Sequence, residues 1–225
     1  MVTGARPALQ ICYIRRRTIR SAPCPPHLPV ASPDNSMIEI EETSIPGVRI
    51  VKPRRFGDAR GWFAETFNRR ALAEAGIDID FVQDNESLSA APGTVRGLHF
   101  QTPDFAQTKL VRVLTGAILD VAVDIRRGSP TFGAHVAVEL SAENGKQLLV
   151  PRGFAHGFCT LAPDTRVFYK VDAYYSEAHD TGLLWNDPAL AIDWPVTPGK
   201  ATLSEKDTRL PRLADFDTPF VYDAG

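Results

Sequence analysis

Two histidines stand in glycine-flanked segments that are patterned like β-strands. His99 lies in RGLHFQ at residues 96–101, and His156 lies in PRGFAHG at residues 151–157. Between them, residues 117–125 alternate between large apolar side chains and small or acidic ones. An imidazole can take up and release protons near neutral pH, and isolated histidines on period-two strands indicate a β-barrel with a polar interior site.

The residues around the histidines favour acid/base chemistry over a metal centre. The spacing of Gly93 and His99 resembles the start of the first cupin motif. The second cupin motif resembles the series Gly145, Pro151, Gly153 and His156. A metal-binding cupin needs a second histidine at position 101 and a glutamate soon after, but this chain has Gln101, Asp104 and Lys109. Two imidazoles and an ammonium make a poor cage for a divalent cation. We therefore expect no metal and no cofactor.

The elements that must position these histidines are short and closely spaced. From Met37 onward, apolar runs are separated by glycine, proline and asparagine turns, as in antiparallel sandwiches and barrels. One helix is predicted over residues 69–75, with Asn68 as its N-cap and Gly76 closing it in a left-handed conformation. Strands are predicted at 48–52, 94–101, 109–114, 117–125, 135–140, 146–150, 157–161 and 166–173. Together they predict an all-β fold, the double-stranded β-helix jelly roll of cupins, with few short helices.

Composition limits the partners of this domain. The chain has 225 residues, of which 44% are hydrophobic and 23% charged, and its formal net charge is −2. Such a balance gives no electrostatic reason to bind nucleic acid or an anionic membrane, so we predict neither partner. Cys12, Cys24 and Cys159 show neither metal-ligand spacing nor an even-numbered disulfide framework, which favours the cytoplasm. Cys159 is expected to be a small buried hydrophobic residue.

The first 36 residues differ from the rest. Residues 1–36 contain five arginines, one acidic residue and six prolines, and the apolar patch at 9–14 is too short for a signal core or a membrane span. We expect this segment to be disordered. Three interpretations are open: a targeting arm, a basic interaction tail, or translated sequence upstream of a true start at Met37. The functional domain is predicted to span residues 37–225.

Seven motifs, in order along the chain, resemble the dTDP-4-dehydrorhamnose 3,5-epimerase family. They are GDARG at 57–61, VQDN at 82–85, RGLHFQ at 96–101, KLVR at 109–112, DIR with SPTFG at 124–133, PRGFAHGF at 151–158 and WNDP at 185–188. The likeness continues through LSEKD at 203–207. It implies a metal-free cupin homodimer. The implied reaction is epimerisation at C3 and C5 of dTDP-4-dehydro-6-deoxy-D-glucose, a dTDP-linked 4-keto-6-deoxyhexose, in dTDP-L-rhamnose biosynthesis.

The resemblance assigns a role to each of four residues. Epimerisation beside a ketone needs a base, a group that stabilises the enolate, and an acid on the opposite face. By resemblance, His99 is the base, Asp207 holds its other ring nitrogen, and Tyr169 returns the proton. Lys109 corresponds to the lysine beside the C4 carbonyl oxygen, where a preorganised cation stabilises the developing enolate.

Further residues match ligand-contacting positions of the family. Arg60 and Arg96 are expected to bind the diphosphate, because guanidinium groups pair bidentately with phosphate oxygens. The remaining matches are Glu65, Gln83, Asp84, Asn85, His156, Asp180 and Lys206. Amide and carboxylate hydrogen bonds, together with aromatic stacking, are expected to hold the thymine.

An ordinary structural role competes with each assignment. A lone strand histidine is usually a satisfied core residue, a tyrosine among apolar neighbours usually packs in the core, and Asp207 could cap a turn. Lys109 and Arg96 could extend over the barrel rim. Two roles remain open for His156: shaping the pocket and contacting phosphate. The other histidines, His27, His135 and His179, receive no role.

Three alternative functions also remain. One is an epimerase that inverts only C3 or only C5 of a related nucleotide sugar. Another is a non-catalytic cupin that binds nucleotide sugars, and the third is a metal-dependent cupin dioxygenase. Solvent-deuterium exchange separates the first two from the double epimerase, and metal analysis tests the third.

Overall fold

Residues 37–223 fold into two antiparallel sheets that pack face to face, with one hairpin, one α-helix and five 3-10 turns beside them. The computed structural model describes residues 37–223, so the predictions for residues 1–36 lie outside the described part. The first six strands are β1 (Ile38–Glu42), β2 (Arg49–Pro53), β3 (Arg55–Asp58), β4 (Gly61–Ala64), β5 (Gln83–Ser89) and β6 (Val95–Gln101). They are followed by β7 (Lys109–Thr115), β8 (Ala117–Asp124), β9 (His135–Ser141), β10 (Gln147–Val150), β11 (Phe154–Thr160), β12 (Thr165–Val171) and β13 (Asp180–Gly182).

The strand order is that of a jelly roll, as the sequence predicted. The first sheet has the order β1-β2-β10-β7-β12-β5, and the second has the order β13-β6-β11-β8-β9. Strands β3 and β4 form a separate hairpin. Apart from β1-β2 and β8-β9, neighbours in each sheet are not consecutive in the chain.

All eight predicted strands are present, with shifts at their ends. The largest shift concerns β11, which begins at Phe154 rather than at residue 157. The predicted start was wrong there, because Gly157 lies within the strand, opposite Val121 of β8. His156 is therefore a strand residue.

The helix also follows its prediction. Helix α1 (Arg69–Glu74) begins after Asn68, whose Oδ1 accepts hydrogen bonds from the backbone N–H groups of Arg70 and Ala71, at 3.0 and 3.2 Å. Gly76 follows it with φ of +80°, the left-handed conformation that glycine adopts without strain. No helix within residues 37–223 is long and apolar enough to cross a membrane.

Period-two alternation decides which side chains face the space between the sheets. Val111, Ile118, Leu148 and Phe158 face inward and form the central core. Residues of opposite parity face outward: Leu98, Phe100, Val121 and Val123 pack under the C-terminal segment, which contributes Phe216 and Phe220. A polar residue at an inward position must therefore lie in the core or line a cavity within it.

Candidate active site

A cavity of about 420 Å³ opens between the two sheets. Its walls are formed by Ser87, Thr94, Val95, Arg96, His99, Lys109, His156, Phe158, Tyr169, Thr202, Leu203, Ser204 and Asp207. All four residues that the family resemblance marks as catalytic lie in this one wall. Two of the predicted ligand-binding residues, Arg96 and His156, line it as well.

His99 and Asp207 form a close pair although 108 positions separate them in the chain. His99 Nε2 lies 2.6 Å from Asp207 Oδ1. His99 projects from β6, and Asp207 begins the short 3-10 turn Asp207–Arg209. Because the carboxylate accepts the Nε2–H proton, a neutral His99 ring keeps its lone pair on Nδ1. This ring can act as a base with its tautomer fixed.

Asp207 stays ionised despite its burial. Its side chain is 3% exposed, whereas that of His99 is 31% exposed. Burial opposes ionisation, but hydrogen bonds from His99, Ser204 and the backbone of Gly97 outweigh it and lower the pKa of Asp207. The carboxylate thus serves the histidine, and its side chain does not cap the turn.

Tyr169 and Lys109 come from the opposite sheet. Tyr169 on β12 lies directly across from Val111 on β7, and Lys109 precedes Val111 by two residues, so both side chains share the inward face. Burial raises the pKa of Tyr169 above its ordinary value of 10, Arg96 opposes the rise, and Asp180 adds to it. Tyr169 is therefore a neutral phenol at physiological pH, which can donate a proton.

Lys109 is a cation in a setting that disfavours charge. Burial lowers the pKa of Lys109 to about 8, and the carboxylates of Asp180 and Asp120 oppose part of this effect. At neutral pH the ammonium form still predominates. Lys109 lies on the inward face of β7 and forms part of the cavity wall.

His156 belongs to a second pair that the sequence did not reveal. Its Nε2 lies 2.8 Å from Asp120 Oδ1, and the two side chains are 7% and 0% exposed. In the sheet His156 stands directly opposite His99. Asp120 was visible only as one member of the alternating run 117–125. An acidic residue at an inward position of a core strand was the available signal.

Arg96 reaches the cavity from β6. Its Nε donates to Ser89 Oγ at 3.2 Å, and Nη2 donates to the Leu88 carbonyl at 3.1 Å. These bonds leave further guanidinium N–H groups for a ligand. Arg96 can therefore hold an anion at the cavity wall.

The predicted residues on β5 divide between its two faces. Asn85 lies directly across from Tyr169, so Asn85 and Gln83 share the inward face, and Gln83 Nε2 donates to Asn85 Oδ1 at 2.9 Å. Asp84 lies on the outward face, where its Oδ1 is 2.8 Å from Lys170 Nζ. None of these three lines the cavity wall.

Asp180 and Lys206 form an ion pair near the cavity. Lys206 Nζ lies 2.5 Å from Asp180 Oδ2, which also accepts a hydrogen bond from the Tyr175 hydroxyl at 3.1 Å. Asp180 stands opposite Gln101 at the end of β6. Its charge affects the pKa of both Lys109 and Tyr169, so it belongs to the surroundings of the site.

Arg60 and Glu65 lie away from the cavity wall. Arg60 is at the tip of the β3–β4 hairpin, with 90% of its side chain exposed, and pairs with Asp58. Glu65 Oε1 accepts a hydrogen bond from Asn68 Nδ2 at 2.7 Å, beside the start of α1. Neither residue reaches the site within one chain.

Gln101 occupies the position that carries a histidine in metal-binding cupins. It is 3% exposed, and its Nε2 donates to the carbonyls of Phe105 and Tyr174 at 2.6 and 3.1 Å. Its Oε1 accepts from the backbone N–H of Ser176 at 2.6 Å. Gln101 thus holds two loops together. Within residues 37–223 no group of three or more His, Cys, Asp or Glu side chains could hold a metal ion.

Cys159 and His179 were predicted to have no catalytic or ligand-binding role. Cys159 is buried and free, and burial raises the pKa of its thiol to about 11, so it is unreactive at neutral pH. His179 stacks on Phe105, with ring centroids 4.4 Å apart, and its Nδ1 lies 2.8 Å from Ser176 Oγ. Neither lines the cavity.

Comparison with known proteins agrees with this architecture. The family model described as dTDP-4-dehydrorhamnose 3,5-epimerase matches residues 42–215. A dTDP-4-dehydrorhamnose 3,5-epimerase from Sinorhizobium fredii is 54% identical over 182 residues, which cover 81% of this chain and 93% of the relative.

Two solved structures share the fold and much of the sequence. The Bacillus anthracis dTDP-4-dehydrorhamnose 3,5-epimerase, with TDP and PPi bound, is 55% identical, with a TM-score of 0.76 and coverage of 78% of this chain and 99% of that chain. The Legionella pneumophila dTDP-6-deoxy-D-glucose-3,5-epimerase, in complex with dTDP-4-keto-L-rhamnose, is 44% identical, with a TM-score of 0.78 and coverage of 83% and 100%. The chain belongs to the dTDP-4-dehydrorhamnose 3,5-epimerase family, an isomerase family with a cupin jelly roll.

Proposed function

We propose that the protein inverts C3 and C5 of dTDP-4-dehydro-6-deoxy-D-glucose to give dTDP-4-dehydro-β-L-rhamnose. The observation that carries the proposal is one cavity whose facing sheets hold a carboxylate-paired imidazole and a neutral phenol. Family membership and the dTDP-linked ligands of relatives support the substrate class. The pathway would be dTDP-L-rhamnose biosynthesis.

His99 starts each inversion. Its Nδ1 removes the proton from the carbon beside the C4 ketone, and the C–H electron pair moves into an enolate. Asp207, hydrogen-bonded to Nε2, stabilises the imidazolium that forms. The free Nδ1 and the fixed ring make His99 the group best suited to this step.

Lys109 stabilises the enolate oxygen. Its side chain lies in the cavity wall between the sheets, where a preorganised positive charge interacts favourably with a developing negative charge. With a pKa of about 8, Lys109 can also share a proton with that oxygen more readily than an exposed lysine. Deprotonation would remove the stabilising charge.

Tyr169 completes the inversion from the other sheet. Its raised pKa keeps the proton on the phenol until the enolate carbon takes it. Because Tyr169 and His99 belong to facing sheets, proton removal and proton return occur on opposite faces of the ring. The reaction is redox-neutral, and a base, an acid and a cation are sufficient for it, so we propose no cofactor and no metal.

We propose that Arg96 binds the diphosphate and that His156 borders the sugar. Arg96 offers fixed N–H donors, which suit phosphate oxygens. Gln83, Asn85, Asp180 and Lys206 surround the same region and are proposed as further ligand contacts. Asp84 faces outward, and its contact with Lys170 favours an indirect role.

We further propose a homodimer. Arg60 lies on an exposed hairpin together with Trp62 and Phe63, which are 56% and 67% exposed. Large exposed aromatic residues in one patch are typical of an interaction surface. In a dimer such a hairpin, followed by Glu65, can approach the cavity of a second subunit. The cytoplasm stays the predicted compartment, on the cysteine pattern alone.

The experiment combines the purified protein with dTDP-4-dehydro-6-deoxy-D-glucose in D2O. We expect NMR to show deuterium at both C3 and C5 and formation of dTDP-4-dehydro-β-L-rhamnose. Label at one carbon only would indicate a single-centre epimerase. Binding without exchange would indicate a non-catalytic nucleotide-sugar-binding protein and would refute the proposal.

A further inference from the structure

The pair formed by His156 and Asp120 has one unusual feature. Asp120 is 0% exposed, its Oδ1 bonds to His156, and its Oδ2 has no hydrogen-bond partner within residues 37–223. A buried carboxylate is costly unless nearby donors and positive charge compensate for it. Its retention in the core calls for a compensating group.

Lys109 supplies that positive charge. Asp120 lies on β8 of the second sheet and faces inward, directly across from Phe158 of the cavity wall. Lys109 faces the same interior from the first sheet, and its pKa responds to the carboxylate of Asp120 as well as to Asp180. The other titratable or charged groups in the cavity wall are His99, His156, Arg96, Tyr169 and Asp207.

We propose that Asp120 is a positioning residue for the epimerisation, which orients the His156 ring and supplies the buried negative charge that keeps Lys109 in its ammonium form. This inference rests on the proposed function of the cavity. Asp120 acts through two side chains that border the substrate and does not itself line the wall.

The physical effect on each partner is distinct. Because Asp120 accepts the Nε2–H of His156, the neutral ring of that histidine carries its lone pair on Nδ1, away from the carboxylate. For Lys109 the effect is electrostatic, since a negative charge in a poorly solvated interior favours a nearby cation. Loss of the carboxylate would therefore shift Lys109 toward the neutral amine.

The first test measures Lys109 directly and needs no turnover. Competitive labelling with acetic anhydride, read by mass spectrometry of the Lys109 peptide, gives the pH at which half of the amine is deprotonated. We expect a midpoint near 8 in the wild type. In Asp120→Asn we expect it to fall by about half a pH unit or more. Because no substrate is used, this result is independent of the proposed reaction.

Asp124→Asn is the matched control. Asp124 is also 0% exposed and lies on β8 at the same parity, but it bonds to Arg126, Ser129 and Thr131 outside the cavity wall. This variant removes a buried carboxylate from the same strand and should leave the Lys109 midpoint unchanged. Thermal denaturation of both variants reports their folding.

The second test uses turnover. The alkaline limb of the kcat profile should move to lower pH in Asp120→Asn, with about a threefold loss of kcat at pH 8.5. Asp124→Asn should keep the wild-type limb even if its stability falls. Equal midpoints and equal limbs in wild type and Asp120→Asn would overturn the proposal, because a purely structural Asp120 affects only stability.

A third variant separates the effect of the Asp120 carboxylate from that of its histidine partner. His156→Gln leaves the carboxylate in place, so the Lys109 midpoint should stay near its wild-type value. A midpoint that falls in His156→Gln would show that the histidine, not Asp120, sustains the cation, and would overturn the proposal.

Discussion

Within residues 37–223, two histidines on neighbouring strands each pair with an aspartate, and the two pairs differ in access to the cavity. His99 is 31% exposed and receives its carboxylate from a distant turn, at 2.6 Å. His156 is 7% exposed and receives its carboxylate from the adjacent strand β8, at 2.8 Å. The same two functional groups are thus held at different depths.

This difference in exposure indicates different roles for the two histidines. A base must reach the substrate, and the more exposed ring of His99 can do so while Asp207 fixes its tautomer. The deeper His156 is better suited to shaping the wall, and Asp120 beneath it acts on the electrostatics of Lys109. A histidine–aspartate pair is therefore not diagnostic of a base until its burial is known.

The largest expected effect separates the two histidines. His99→Ala should lower kcat/KM by roughly 10³- to 10⁴-fold, because the proposed general base is lost. Deuterium exchange at C3 and C5, followed by NMR, should fall with it. His156→Gln is the comparison and should retain measurable exchange at both carbons. Loss of exchange in His156→Gln with survival in His99→Ala would reverse the two assignments.

Lys109→Met tests the cation that faces both pairs. Methionine keeps most of the length of the side chain and removes its charge, so the enolate loses its stabilisation. We expect kcat to fall by roughly 10²- to 10³-fold, with a smaller change in KM. Steady-state kinetics measures both constants. A change confined to KM would place Lys109 in ground-state binding only.

Tyr169→Phe tests the proposed acid on the sheet opposite His99. Proton removal survives in this variant, but return of a proton to the other face is lost, so we expect about a 10²-fold fall in net inversion. Deuterium exchange without inversion should remain detectable by NMR. Normal inversion in Tyr169→Phe would show that another group delivers the proton.

The pH dependence of kcat tests the role of the Lys109 ammonium group. Lys109 is proposed to act as the ammonium form and has a pKa of about 8, so its contribution to activity should be present below that value and decline above it. Once the amine is mostly neutral, we expect about a tenfold loss for each further pH unit. The profile should be measured with folding monitored at each pH. A flat profile from pH 7 to 10 would contradict this role.

The smallest effect is expected outside both pairs. His135 begins β9, partly exposed and away from the cavity wall. His135→Gln should change kcat/KM by less than about twofold and stability by less than about 0.5 kcal/mol. Kinetic assays and thermal denaturation check both values. A large kinetic loss would extend the functional region beyond the cavity.

The sequence predicted which strand residues face inward better than it predicted the side chains that they contact. Alternation and glycine boundaries located the strands of His99 and Tyr169, because period two is visible in a single segment. Strand β5 was not among the predicted strands, since polar Gln83, Asn85 and Ser87 occupy its inward positions and hide the apolar alternation. Asp84 was grouped with its neighbours although strand parity turns it outward.

Patterns within a single segment could not predict contacts between segments that are far apart in the chain. The pairing of Asp207 with His99 was implied by family resemblance alone, because it joins a strand to a C-terminal turn. Asp120 was missed because its role depends on the neighbouring strand, where His156 lies diagonally across from it, opposite Ala122. Arg60 matched a ligand-binding motif, yet its distance from the cavity wall became visible only in three dimensions.

A crystal structure of the protein with a bound dTDP-linked 4-keto-6-deoxyhexose tests the central claim most directly. The account predicts His99 Nδ1 and Tyr169 Oη on opposite faces of one sugar ring, each about 3 to 3.5 Å from a carbon next to the C4 ketone. It also predicts the Lys109 ammonium group at the C4 oxygen. A ring approached by both side chains from one face, or a sugar bound away from His99, would contradict the account.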